Sequence, residues 1–195
     1  MRLPVAFLRT LAKRTELTRL HLVVSAGASQ VLRHELPSER AGAEALLRAA
    51  ELDPDDPRWV IHRDGALDAP IASGSYRLDG TVILPCSSAT LGALATGTGH
   101  HLIHRAGAVA LKEGWPLILG FRETPLSLVH LENLRHLAWA GATIAPPIPA
   151  FYLGGEDLDL FLAAYAVRLM DHLGLATHSA GLRWGEDSIA ESNDP

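Results

Sequence analysis

The chain has 195 residues, enough for one domain with a sizeable core, and 48% of them are apolar. A formal charge of −5 argues against a nucleic-acid footprint, and the single cysteine, Cys86, excludes an internal disulfide framework. The mean hydropathy of +0.13 is slightly high for a soluble monomer and fits a surface partly buried between subunits; no apolar run reaches the length of a membrane span.

In chain order, residues 5–14 place apolar side chains at helical spacing ahead of a basic end, which predicts a helix. Leu20–Ser25 reads as a strand, Ala28–Glu35 as a helix, and Ala41–Ala50 as a second short helix before the turn-rich LDPDDP. Trp59–His62 is a short strand, and Asp64–Ser75 a loop. Gly80–Leu84 is apolar and β-branched, which suits a strand buried on both faces, stopping at Pro85-Cys86. Helices and a second buried strand, Pro116–Phe121, follow. Leu126–Gly141 reads as a helix with Gly141 at its end, Thr143–Ala145 as a brief strand stopped by PPIP, and Asp157–Leu173 as the last long helix. This gives one domain, with a core over 1–175 and a polar tail over 176–195. Alternating strands and helices predict an α/β fold: a three-layer, Rossmann-like or flavodoxin-like, mostly parallel sheet flanked by helices.

Two polar clusters follow strand ends, where open α/β sheets bind ligands. Ser87, Ser88, Ala89 and Thr90 sit at a strand-to-helix junction, where hydroxyls cap the helix and free N–H groups suit a phosphate. Arg122 and Glu123 follow the second buried strand, and Pro125 stiffens the turn after them. A carboxylate beside arginine stays ionised at neutral pH, which suits proton abstraction. Cys86, between a buried strand and a cap, reads as inert. His100, His101 and His104 form HHxxH, and His100 and His104 one turn apart would suit zinc, but no third ligand stands nearby. Arg105 and Lys112, seven apart, share a helix face.

The motifs ASGS (72–75), PCSxxT (85–90), RAGAVALKE (105–113), RETPL (122–126) and PPIPAFY (146–152), in this order, resemble the flavin prenyltransferases, which belong to a wider group of homo-oligomeric flavoproteins that includes cysteine decarboxylases. The resemblance spans roughly residues 5–185, and its motifs are specific when taken together. It implies that Ser25, Ser87, Ser88, Ala89, Thr90 and Arg122 contact FMN, and that Glu123 is the acid/base. It also implies that Arg105, Lys112, Tyr152 and Arg168 hold the prenyl phosphate, with Glu35 matching a further acidic residue of the site. Ala26 stands where the family usually has lysine, and Leu67 where some members carry an aromatic residue. The expected reaction joins a dimethylallyl group from dimethylallyl monophosphate to reduced FMN, without a metal. The product, prenylated FMN, would serve a partner decarboxylase of ubiquinone-precursor or aromatic-acid type. A cytoplasmic homododecamer is the expected state, with no nucleic-acid partner and no membrane span. An FMN-dependent cysteine decarboxylase and a non-catalytic flavin-binding subunit are the alternatives. The resemblance further implies a strand ending in a Gly-Ala-Ser-Gly loop ahead of the first helix. Met1 falls where that helix begins, which leaves two expectations open: a start upstream of Met1, or a paralogue without that loop.

Overall fold

The computed structural model describes residues 1–35, 41–151 and 157–175. In chain order the elements are α1 (Arg2–Ala12), β1 (Leu20–Val24), α2 (Ala26–Glu35), α3 (Ala43–Ala49), β2 (Trp59–Arg63), a 3-10 turn (Pro70–Ala72), β3 (Thr81–Cys86), α4 (Ser88–Thr96), α5 (Leu102–Glu113), β4 (Leu117–Phe121), α6 (Leu128–Trp139), β5 (Thr143–Ile144) and α7 (Leu158–His172). Every described strand pairing is parallel. The predicted three-layer α/β architecture is therefore present; the predicted tail, 176–195, lies outside the described residues.

β4 is buried along its whole length, as its unbroken apolar run predicts. Leu117, Leu119 and Phe121 face a cluster built with Leu91 and Leu94 of α4, Ala110 of α5 and Leu137 of α6. Ile118 points the other way, onto Phe7 of α1 and Leu169 and Met170 of α7. The period of two along a strand thus joins both helical layers through one segment. Gly120 lets α7 approach: a Cβ there would lie 2.4 Å from Leu84 Cδ1 and 2.9 Å from the Tyr165 hydroxyl. That hydroxyl donates to the Ala145 carbonyl at 2.6 Å, and burial pushes its pKa up to about 12.

β3 departs from expectation in two ways. It runs through Pro85 to Cys86 instead of stopping there, with a register irregularity between Ile83 and Cys86 on its pairing with β4. It is also only half-buried, because one of its edges has no partner strand among the described residues. The described strands form two separate sheets, β1-β2 and β3-β4-β5. Between β1 and β3 lies an open slot of about 1370 Å³, walled by both strands and by α1 and α7.

Helix ends follow the sequence signals. Ser87 caps α4, accepting from Thr90 N at 3.2 Å, and Gly97 ends it in the left-handed region at φ 69°. Ser127 caps α6 in a reciprocal box with His130, so that helix starts two residues later than the sequence predicts. HHxxH is not one helical turn. α5 opens at Leu102 with His101 as its cap residue, so His100 lies ahead of the helix and does not share a face with His104. The described residues contain no cluster of three metal-ligating side chains. The acidic run at 53–56 is used locally: Asp53 accepts from Asp55 N at 3.0 Å, and Asp56 pairs with Arg58 at 2.7 Å. No described helix is long and apolar enough to cross a membrane.

Candidate active site

The carboxyl ends of β1, β3 and β4 open at one end of the slot, and the first three polar positions there are Ser25, Ser87 and Arg122. Ser25 Oγ accepts from Ala28 N at 3.1 Å, which fixes the first turn of α2. Ala26, in place of the expected lysine, is the first residue of that helix. Ser87 Oγ donates to Thr90 Oγ1 at 3.1 Å while it accepts from Thr90 N, so both hydroxyls are held at the N-terminus of α4. The N–H groups of Ser88 and Ala89 belong to the first turn, where no carbonyl within the helix can reach them. That helix start follows β3, and Arg122 follows β4, the strand paired with it. Hydroxyls, free N–H groups and one guanidinium form a donor set suited to a phosphate.

Arg122 is placed by its neighbour. Phe121 is 3% exposed and meets the His130 ring edge-on at 5.5 Å, which anchors the strand end. Arg122 and Glu123 are exposed, and neither forms an ion pair among the described residues. Glu123 Oε1 accepts from Thr124 N at 3.2 Å, which leaves its second oxygen open to a reacting group. Glu35 also lines the slot, where its carboxylate meets the Met1 ammonium. Burial pushes the Cys86 thiol up to about 12, so it is protonated at neutral pH and not a nucleophile.

The cations of α5 stand elsewhere. Arg105 Nε donates to the Ala72 carbonyl at 2.9 Å, and Lys112 pairs with the adjacent Glu113. Between them passes Gly74; a Cβ there would lie 2.7 Å from Lys112 Nζ. ASGS and RAGAVALKE, far apart in sequence, are thus one structural unit. Arg168 lies on α7, 63% exposed and 3.7 Å from Asp171. None of these three lines the slot, and neither do Ser88, Ala89 and Glu123, so a single chain gathers Ser25, Ser87, Thr90, Arg122 and Glu35 there. Tyr152 lies outside the described residues. Leu67 is exposed.

One group was not read from the sequence. His21 Nδ1 lies 2.8 Å from His62 Nε2, and His21 Nε2 lies 3.0 Å from the Tyr76 hydroxyl, which also accepts from Arg19 at 3.2 Å. Burial, with the positive charge of His62 and Arg19, pushes His21 down to about 4. Only the alternation of β1 signals it, since His21 shares the face of Val23.

The flavoprotein family model matches residues 5–159. The flavin prenyltransferase UbiX of Synechocystis sp. is 39% identical over 160 residues, which are 80% of this chain and 78% of that protein. A probable UbiX-like flavin prenyltransferase of Escherichia coli O157:H7 is 36% identical over 182 residues, 93% of this chain and 86% of its own. This chain belongs to the flavin prenyltransferase family. Among solved structures, a dodecameric FMN-dependent UbiX-like decarboxylase from E. coli O157:H7 aligns with a TM-score of 0.78 at 35% identity, covering 91% of this chain and 90% of that one. AnUbiX (PadA1), solved with FMN and dimethylallyl pyrophosphate, aligns with a TM-score of 0.73 at 33% identity, covering 89% of this chain and 84% of its own.

Proposed function

We propose that this single-domain protein transfers a dimethylallyl group from dimethylallyl monophosphate to reduced FMN, yielding prenylated FMN for a partner decarboxylase. The observation that carries the reading is the placement of Arg122 beside the capped Ser87–Thr90 turn, at the adjacent carboxyl ends of β3 and β4. Reduced FMN supplies the two nucleophilic positions, N5 and C6, that form bonds to the prenyl carbons.

The side chains have separate tasks. Ser25, Ser87, Thr90 and the N–H groups of Ser88 and Ala89 hold and orient the flavin's phosphate-bearing arm, and Arg122 adds a fixed positive charge. Once N5 has displaced the phosphate, the remaining prenyl double bond takes up a proton at its middle carbon, C6 bonds to the tertiary carbon this leaves electron-poor, and Glu123 accepts the proton that C6 then loses. The allylic C–O bond breaks and inorganic phosphate departs. Its charge grows as that bond lengthens, so cationic and hydroxyl donors aimed at it lower the barrier. Arg105, Lys112, Tyr152 and Arg168 are the donors assigned to that phosphate. In one chain the three described cations lie off the slot, so the reading requires a junction between subunits to bring them to it. The dodecameric neighbour supports such an assembly, as do Leu128, Val129 and Trp139, which α6 leaves exposed. A reaction that consumes reduced flavin suits the cytoplasm.

The test is a single-turnover incubation of the protein with saturating reduced FMN and dimethylallyl monophosphate under anaerobic conditions, read by mass spectrometry of the flavin. Prenylated FMN is the expected product. Unmodified FMN recovered from flavin-loaded protein would overturn the reading.

A further inference from the structure

α6 begins with a capping box whose closing residue is unusual. Glu or Gln commonly holds the third helical position of such a box, and here it is His130. Its Nδ1 accepts from Ser127 N at 3.3 Å, so in the neutral ring the proton sits on Nε2. Ser127 Oγ in turn accepts from His130 N at 3.2 Å. A glutamine would close the same box. What the imidazole adds is its ring, which meets the Phe121 ring at 5.5 Å with 61° between the planes.

Helical periodicity puts the ring there. His130, Leu134 and Leu137 are four and three residues apart and share one face of α6. Leu137 is buried, and Leu134 partly buried, in the cluster that holds Leu119 and Phe121. That packing fixes α6 against β4 and turns His130 toward the strand end, while its neighbours Leu128 and Val129 stand 80% and 67% exposed. One side chain therefore touches both ends of the turn that carries Arg122 and Glu123: Phe121 just before it and Ser127 just after it. Within that turn the bond from Thr124 N to Glu123 Oε1 is local. Among the described residues, no hydrogen bond ties 122–126 to another element.

We propose that His130 is a positioning residue for prenyl transfer: by bridging Phe121 and Ser127 it holds the 122–126 turn, so that the Glu123 carboxylate and the Arg122 guanidinium keep their places at the carboxyl end of β4. This rests on the proposed reaction for the tasks of those two side chains. A base carried on an exposed turn depends on such fixing, because a misplacement near 1 Å can cost about a hundredfold in rate. A helix cap needs only an acceptor at position 130. A bridge needs the acceptor and the ring on one side chain.

The test separates bridge from cap with three variants of the flavin-loaded protein. His130→Ala removes both contacts, His130→Gln keeps the box acceptor, and His130→Phe keeps the ring. Hydrogen exchange of the 122–126 amides should be about tenfold faster in all three than in the unsubstituted chain. His130→Gln should restore the melting temperature lost in His130→Ala, because Gln closes a capping box. Single-turnover prenylation at saturating substrates should nevertheless stay at least about tenfold slow in His130→Gln. A rate that recovers together with the melting temperature would overturn the proposal, by reducing His130 to a cap. Exchange at 122–126 as slow in His130→Ala or His130→Gln as in the unsubstituted chain would also overturn it. If the unsubstituted chain forms no prenylated FMN, the proposed reaction fails, and the exchange comparison still decides whether His130 holds the turn.

Discussion

Arg105 Nε donates to the Ala72 carbonyl at 2.9 Å, across 33 residues of sequence. This bond, with Gly74 packed against Lys112 and Glu113, fastens the 72–75 turn to α5. Two motifs of the family therefore act as one part, and the α5 cations hold the turn as well as facing outward.

Arg105→Ala should release that turn. A hydrogen bond from a charged donor contributes about 1.5–3 kcal/mol, and the partly exposed setting here places the loss at the lower end. Faster hydrogen exchange at Ser73–Tyr76 is expected, with little change at β4. Unchanged exchange at the turn would show that Gly74 packing alone holds it.

Ser87 has two roles that substitution separates. Ser87→Ala removes the α4 cap and should cost about 1 kcal/mol, together with weaker flavin binding. Ser87→Asp restores a capping oxygen, so the melting temperature should recover. Flavin binding should weaken further with Asp, because its charge opposes a phosphate. Thermal denaturation and flavin titration, run on both variants, read the two effects independently.

Much of this site was legible in the sequence. The unbroken run at 117–121 announced a strand buried on both faces, and the hydroxyls after β3 announced a capped helix. Both are local signals. What was not legible depends on tertiary neighbours. β3 looks as apolar as β4, yet it borders the slot and is half-buried, and it continues through Pro85 because the bulge there leaves that residue on the exposed side. HHxxH reads as one turn only if the helix has begun, and α5 begins after His101. Arg105 reads as a surface cation because its partner is a backbone carbonyl, which no side-chain pattern reveals.

The His21–His62–Tyr76 group predicts a pH dependence. His21 has a folded pKa of about 4, below the 6.5 of the free side chain. Between those values the unfolded chain binds the proton and the folded chain does not. Stability contributed by neutral His21 is therefore present above about pH 6.5 and is lost as pH falls toward 4. The lowered pKa of His62, caused by its burial, acts in the same direction. Partial exposure limits the effect to about 1 kcal/mol. His21→Gln should flatten the denaturation midpoint across this window, whereas an identical pH profile would remove His21 as the cause.

The central claim is that Glu123, at the carboxyl end of β4, accepts the proton released during prenyl transfer. Its most direct test is the single-turnover rate of Glu123→Gln in flavin-loaded protein. Gln keeps the shape and an acceptor for Thr124 N, so FMN should remain bound. Loss of the base should slow formation of the ring-closed product by at least about a hundredfold. Retained flavin with a slow rate is the predicted result; retained flavin with an unchanged rate would contradict the assignment.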